Sequence, residues 1–552
     1  MPAATTYATT GNAYIDGLLG DWKWGIKDFT FSFPTSASFY GAGYGNGEPL
    51  KGFAVLNAAQ QAATRASLDQ FSSVANVTFT EITESVTKHA DLRLASSDAP
   101  STAWAYFPST AAEGGDAWFN KSSGHYSRPV KGNYAYVTFL HETGHALGLE
   151  HAHEGNVMPV NRDSMEYTVM SYRSYVGAST TTGYTNETWG YAQSLMMYDI
   201  AALQHMYGAD FTTHSENTTY RWSPTSGEMF VNGMGQGAPG GNKILLTVWD
   251  GGGGTDTYDF SNYTTALKVD LRPGEWTTTS AAQLAKLHYD GSKVAIGNIA
   301  NALQYQGDTR SLIENAKGGA GNDAITGNAA ANALWGNGGN DRLIGGDGND
   351  NLAGGAGADR LDGGNGTDLA NYSNATAGMV ADLYSPGSNT GEAAGDTYVS
   401  IERLYGSAFN DTLRGDNRAN LLNGLAGNDM LNGRDGNDTL IGGNGADRLI
   451  GGGGADTFVF QTTAQSAPAF RDVIDDFASG VDRMDLRSID ASSKAIGDQA
   501  FLFIGSSAFH GKAGELNFRS GIVSGDVNGD GLADFQIKVM NLSALSGSDF
   551  LL

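Results

Sequence analysis

The residues His141-Glu142-Thr143-Gly144-His145-Ala146-Leu147-Gly148-Leu149-Glu150-His151 decide how the first half of the chain is read. On a helix, His141 and His145 lie one turn apart on the same face. That spacing lets both imidazoles reach one zinc ion at roughly 2.0–2.1 Å. His151 would point roughly 120° away from His145 if the helix ran through. Gly148 can end the helix, because glycine takes left-handed dihedrals without strain, and a turn there brings His151 back as the third ligand. Glu142 follows the first ligand and is left free as a general base. Tyr134 to Leu140 run into the motif as a largely apolar stretch, so the helix is expected to be buried. Buried histidines and a buried glutamate need partners, and a metal supplies one.

Further on, the chain reads Tyr167-Thr168-Val169-Met170-Ser171-Tyr172. With it the sequence resembles the metzincin metallopeptidases, whose pattern is HExxHxxGxxH followed by a methionine turn. Among them it is similar to the serralysin family, because the turn reads Met-Ser-Tyr. The resemblance implies an α+β metzincin catalytic domain. It implies an apolar floor under zinc made by Met170, and a further, switchable zinc ligand in Tyr172 that swings to stabilise a tetrahedral intermediate. Ala152 stands where serralysins usually carry proline, at a position that is not a ligand. The family also implies that Asp116-Ala117-Trp118-Phe119-Asn120 is an edge strand above the cleft, where an extended peptide pairs with open backbone groups. An ordinary core strand is the alternative.

A chain of 552 residues is too long for one ordinary core. With 33 basic and 59 acidic residues its net charge is −26, which excludes nucleic acid and anionic membranes as partners and favours cations. There is no cysteine, so disulfides and thiolate zinc sites are excluded. No apolar run approaches the ~18 residues of a membrane span. The first residues, Met1 to Tyr7, have neither the basic nor the apolar region of a Sec signal peptide. No G-x-S-x-G occurs, so the nucleophile elbow of a lipase is missing.

Read in order, residues to about Gly17 form an exposed lead-in. Phe29 to Pro34 alternates as a strand, Ala54 to Ser72 has helical spacing, and Val77–Glu81 and Asp91–Leu94 read as strands. Trp189 to His205 is expected to be helical. Besides the three motif histidines there are His89, His125, His153, His205, His214, His288 and His510, expected to be structural or exposed; only His153, two residues after His151, has ligand spacing to the motif.

From Gly318 the chain takes up a nine-residue period, with copies starting at Gly318, Gly327, Gly336, Gly345, Gly354 and Gly363, then again at Gly406, Gly415, Gly424, Gly433, Gly442 and Gly451. The sixth place holds Asp323, Asp341, Asp350, Asp359, Asp368, Asp411, Asp429, Asp438, Asp447 and Asp456, with Asn332 and Asn420 in the other two copies. The eighth place is a large apolar residue in eleven of the twelve copies. Glycine turns present carbonyls, the aspartates add hard anionic oxygens, and the set suits calcium. The apolar residue starts a thin core, and a disordered linker would need no such phase. The pattern resembles the calcium-binding parallel β-roll of RTX proteins, which implies ions bridging turns of two copies. Candidate ligands are Gly319 and Gly321, Gly346 and Gly348, Gly355 and Gly357, Gly443 and Gly445, with the ten aspartates. Upstream, Trp249-Asp250 to Phe260 resembles the family's first calcium loop, with Asp250, Asp256 and Glu314 as candidates and one glycine more than usual. Asp526 to Gly531 reads either as a calcium loop or as a polar turn.

The resulting division is a catalytic domain over residues 1–235, a linker with the first calcium loop over 236–317, repeat arrays over 318–371 and 406–460 around an insert at 372–405, and a terminal part over 461–552. The terminal residues Asp549-Phe550-Leu551-Leu552 resemble a type I export signal, a reading compatible with an apolar end packed on the last strands. The expected function is that of a secreted, monomeric zinc endopeptidase with one catalytic zinc and several structural calcium ions. It acts on protein or peptide substrates, with the type I secretion apparatus as a partner and a periplasmic inhibitor left open. The rival reading is a calcium-dependent surface or adhesive module whose protease domain is inactive.

Overall fold

In the computed structural model, which describes residues 2–552, the chain forms two compact units, one up to Ala316 and one from Lys317 to Leu552. In the first unit, strands β1 (Asp28–Ser32), β2 (Thr78–Glu81), β3 (Leu92–Ser97), β4 (Ala103–Ala105) and β5 (Ala117–Asn120) form one sheet in the order β2-β1-β3-β5-β4. All pairings are parallel except β4 on β5. The expected edge strand is therefore corrected. Residues 117–120 lie inside the sheet and are fully buried, and the edge is Ala103–Ala105. The reason is residue type: Trp118 and Phe119 carry too much apolar surface for an open edge, whereas two alanines and a tryptophan can hold one.

Helix α1 (Ala58–Val74) starts at a capping box in which Asn57 and Gln60 exchange side-chain and backbone bonds, which moves its start past the expected Ala54. Helix α2 (Tyr134–Ala146) is capped by Asn133, and Phe139 stacks on Phe119 of β5 at 4.1 Å between ring centroids. Helix α3 (Met197–Tyr207) starts later than expected from Trp189, because the Asp199 carboxylate accepts from the Met196 N–H and fixes the first turn there. The lead-in is exposed but ordered: Ala4–Thr5 pairs with Lys23–Trp24, and the Tyr7 hydroxyl donates to Gly20 O at 2.6 Å. Residues 236–316 belong to this unit, and Leu245, Trp249, Trp276 and Leu287 share one core with Phe139, Met170 and Leu203.

In the second unit the strands of successive copies alternate between two sheets, so partners in one sheet are eighteen residues apart. The apolar eighth-place residues, Ile325, Leu334, Leu343, Leu352 and Leu361, then Leu413, Leu422, Leu431, Leu440, Leu449 and Phe458, are all fully buried. Two parallel sheets alternating copy by copy over a thin apolar core are compatible with a β-roll. The insert breaks the sequence period without breaking the sheets. Thr397–Val399 pairs with Arg360–Asp362, Arg403–Tyr405 joins Leu369–Asn371 to Leu421–Asn423, and Val380–Asp382 starts a new sheet on Thr412–Arg414. At the end of the chain, Phe550–Leu551 pairs with Met484–Asp485 and the buried Asp549 carboxylate accepts from the Gly480 and Ser546 N–H groups.

Candidate metal centre and cation-binding turns

The α2 helix ends as the spacing requires. Leu149 N–H bonds Gly144 O and Gly148 N–H bonds His145 O, the paired bonds of a Schellman motif. Gly148 has φ +105°, and a Cβ there would lie 2.7 Å from Trp22 O. The turn carries His151 back toward His141 and His145. The three Nε2 atoms face one another at 2.9, 3.0 and 3.2 Å. Each ring's Nδ1 faces an acceptor: Val169 O for His141, Leu149 O for His145 and Glu154 Oε2 for His151. Neither a carbonyl nor an ionised carboxylate can donate, so these Nδ1 atoms carry the hydrogens and three bare Nε2 lone pairs converge on one point. That convergence repels unless a cation sits between them, and the donor set and spacing fit tetrahedral zinc. Burial and the facing His151 push His141 down to about 3, so the site is built for neutral imidazoles.

Glu142 is buried beside this centre, and its Oε2 has no hydrogen-bond partner. Burial pushes it up to about 8 against an opposing backbone hydrogen bond from Ala105 on the edge strand. A nearby bound cation acts in the other direction and favours the carboxylate. Met170 is fully buried, and its Sδ would lie 2.8 Å from a Cβ at Gly144, so it packs under the helix between the two α2 histidines. The Tyr172 ring lies 5.7 Å from that of His141 and 4.4 Å from that of His151. Burial, with Glu142 nearby, pushes its hydroxyl up to about 12, so it is a proton donor at neutral pH. A cleft lined by Ala103, Thr138, His141, Glu142, Tyr172 and Thr180 opens here.

Two residues outside the motif adjoin the centre. His153, expected to be structural or exposed, lies against the site with its ring 5.4 Å from His151 and 4.9 Å from Tyr172. Its place two residues after His151 is the spacing that sets it apart from the other six histidines. The buried Asp199 accepts from Val169 N–H and from the Thr168 hydroxyl, fixing the methionine turn whose Val169 carbonyl orients His141. Nothing in the local sequence announces that link.

The repeat turns form ladders. The sixth-place N–H of one copy bonds the Oδ1 of the aspartate eighteen residues on, as Asp323 to Asp341, Asp341 to Asp359 and Asp429 to Asp447. The other oxygen, Oδ2, is buried without a partner at Asp341, Asp350, Asp359, Asp368, Asp429, Asp438, Asp447 and Asp456. Burial pushes Asp341, Asp350 and Asp438 up to about 7 and Asp429 up to about 8. Orphaned, stacked carboxylate oxygens fit calcium. Glycine is required where turns touch: a Cβ on Gly357 would lie 1.7 Å from Gly339 O, and one on Gly445 1.6 Å from Gly427 O. Gly346, Gly348, Gly355 and Gly443 also take positive φ. Asp323 and Asp411, first in each array, turn Oδ2 onto Gly319 N–H and Ser407 N–H of their own turns.

The structure adds rungs outside the period. Asp396 and Glu402 take the N–H groups of Asp359 and Asp368, while Asp472 and Asp482 take those of Asp447 and Asp456. Asp482-Arg483-Met484 repeats the Asp-Arg-apolar pattern of Asp341 and Asp447, a signal legible in the sequence. In the first unit, Glu314 accepts from Asp256 N–H and Asp250 from the Tyr220 hydroxyl, while Asp256 Oδ2 is buried without a partner. Burial and mutual repulsion push Asp250 up to about 8. In the Asp526 loop, Asp526 accepts from Gly529 and Gly531 N–H, and Asp534 from Val527 N–H.

One unit thus carries a histidine cluster that could hold a metal ion, and the other a parallel repeat of glycine and aspartate turns. The family model for the C-terminal part of serralysin-type M10 peptidases matches residues 209–385 and 416–552, and the chain belongs to the serralysin family. It is 34% identical over 345 residues to the metallopeptidase AprA of Pseudomonas marginalis, covering 59% of this chain and 64% of that protein. It is 33% identical over 336 residues to a serralysin of Photorhabdus sp. (strain Az29), covering 57% and 62%. It is 32% identical over 328 residues to the serralysin of Proteus mirabilis, covering 54% and 59%. The matches thus span somewhat under two thirds of these relatives. A subunit of a mannuronan C5-epimerase from Azotobacter vinelandii, solved in solution, is similar over 26% of this chain and 78% of its own, with 26% identity and a TM-score of 0.20.

Proposed function

We propose that the protein is a secreted zinc endopeptidase that hydrolyses peptide bonds of extracellular proteins, with a metzincin catalytic domain in its first unit and a calcium-stabilised β-roll in its second. The observation that carries the reading is the convergence of three bare Nε2 atoms beside a buried glutamate with an unpartnered oxygen. His141, His145 and His151 would hold zinc, which when bound supplies a Lewis acid and lowers the pKa of water towards ~7. An extended peptide pairs with the open side of Ala103–Ala105, which puts its scissile carbonyl by Glu142. Glu142 Oε2 takes the proton of the attacking water and returns it to the leaving nitrogen. Tyr172 donates its hydroxyl to the oxygen on which charge develops. Membership of the serralysin family supports export by a type I apparatus and a periplasmic inhibitor as a partner. The intact histidine triad and Glu142 disfavour an adhesive module with a dead catalytic domain. Clearance of casein in calcium and zinc, lost in a chelator and restored by zinc, is the expected result; clearance indifferent to the chelator contradicts the reading.

A further inference from the structure

The outer face of the five-stranded sheet, away from α2, carries a small aromatic core of Tyr40, Tyr44 and Trp118 with Phe53, Trp104 and Tyr106 packed against it. Within it Glu48 is wholly buried. Its Oε1 accepts from the Trp104 indole N–H at 3.2 Å and from the Tyr106 hydroxyl, and its Oε2 accepts from the Asn46 N–H at 3.0 Å. A buried carboxylate is costly unless its oxygens are satisfied, and here two of the three donors come from the residues that flank Ala105.

The edge strand shows what that grip can do. Thr102 O and Tyr106 N–H are bonded to Asn120 N–H and Asp116 O, and Trp104 is paired with Trp118. In an antiparallel pair the intervening residues turn their backbone groups outward, so Ala103 and Ala105 face the open side. Their side chains pack towards the core that contains α2, opposite Trp104 and Tyr106. Among the described residues no further strand pairs with β4 on that side, where the cleft opens.

We infer that Glu48 is a positioning residue of the reaction. By holding Trp104 and Tyr106 from behind, it fixes the height and register of Ala103–Ala105, and so the backbone that receives the peptide beside Glu142. The inference rests on the protease reading. It extends the site to a side chain on the far face of the sheet.

The test uses the full chain in calcium and zinc, with Glu48→Gln and Tyr106→Phe beside the wild type. Zinc content and melting temperature report folding, peptide kinetics give kcat and KM, and hydrogen exchange reports the amides of residues 102–106. Displacements of ~1 Å cost about 10²-fold in rate. Glu48→Gln is therefore expected to lower kcat/KM by about 10–10²-fold, with KM raised, and to speed exchange at 103–106 while zinc stays bound. Tyr106→Phe removes one donor and falls between. A raised KM cannot come from a smaller folded fraction, which separates positioning from stability. Unchanged KM and unchanged exchange in both variants overturn the inference. A wild type that cleaves nothing overturns the protease reading instead, and the exchange arm still decides whether Glu48 fixes the strand.

Discussion

Gly148 does two jobs that no other residue type can combine. It takes φ +105° to end α2, and it passes within contact distance of Trp22 O. Gly148→Ala is expected to cost roughly 1–3 kcal/mol of backbone strain. It should also weaken zinc retention, because the same turn sets the Leu149 carbonyl on His145 and delivers His151. Melting temperature and zinc content after dialysis check this; a variant that melts and retains zinc like the wild type contradicts it. Tyr172 differs in kind, since its ring lies by the histidines while its hydroxyl acts only as charge develops. Tyr172→Phe should lower kcat by about 10²-fold with little change in KM, measured by peptide kinetics. An unchanged kcat would make it a packing residue.

At the scale of elements, the stacked turns make a prediction about acid. Without calcium, burial holds Asp341, Asp350 and Asp438 near 7 and Asp429 and Asp472 near 8, against ~3.9 in an unfolded chain. A carboxyl raised in the folded state binds its proton more tightly there, so the unfolded chain binds fewer protons between these values and stability falls as pH rises. The calcium-free roll should therefore melt lower at pH 8 than at pH 5, and millimolar calcium should remove that loss. Calorimetry at both pH values checks it; a calcium-free roll that grows more stable from pH 5 to pH 8 contradicts it. These turns were legible in the sequence because each copy repeats glycine, aspartate and apolar residue at fixed places. The rungs at Asp396 and Glu402 were not, since an insert can supply a carboxylate at the right height without keeping the period. Likewise the residues of β4 and β5 were both visible as strands, but which one forms the edge depends on pairing between segments distant from the motif, which no local pattern encodes. The convergence of the histidines was legible from spacing plus one glycine, whereas the bracing by Asp199 and Glu48 arises only from tertiary packing.

For the whole molecule, the acidic balance of −26 becomes a folding condition. Eight buried carboxylate oxygens of the repeats have no partner of their own, and each copy buries a single large apolar residue, too little to offset ordering entropy alone. Near neutral pH and above, where the acid stabilisation is lost, the repeats over residues 318–460 are expected to be largely unfolded at micromolar calcium and to fold at about 10⁻⁴–10⁻³ M. Circular dichroism of a Glu142→Ala chain, which cannot digest itself, titrated with calcium and separately with magnesium checks this. Strand signal complete in chelator, or produced equally by magnesium, contradicts it. The central claim, that the histidines hold a metal while Glu142 does the proton transfer, meets its most direct test in the same variant. Zinc content and peptide cleavage are measured together on wild-type and Glu142→Ala protein. The account predicts one zinc per chain in both and a loss of about 10²–10⁴-fold or more in the variant's rate; a Glu142→Ala chain that holds zinc and cleaves at the wild-type rate would contradict it.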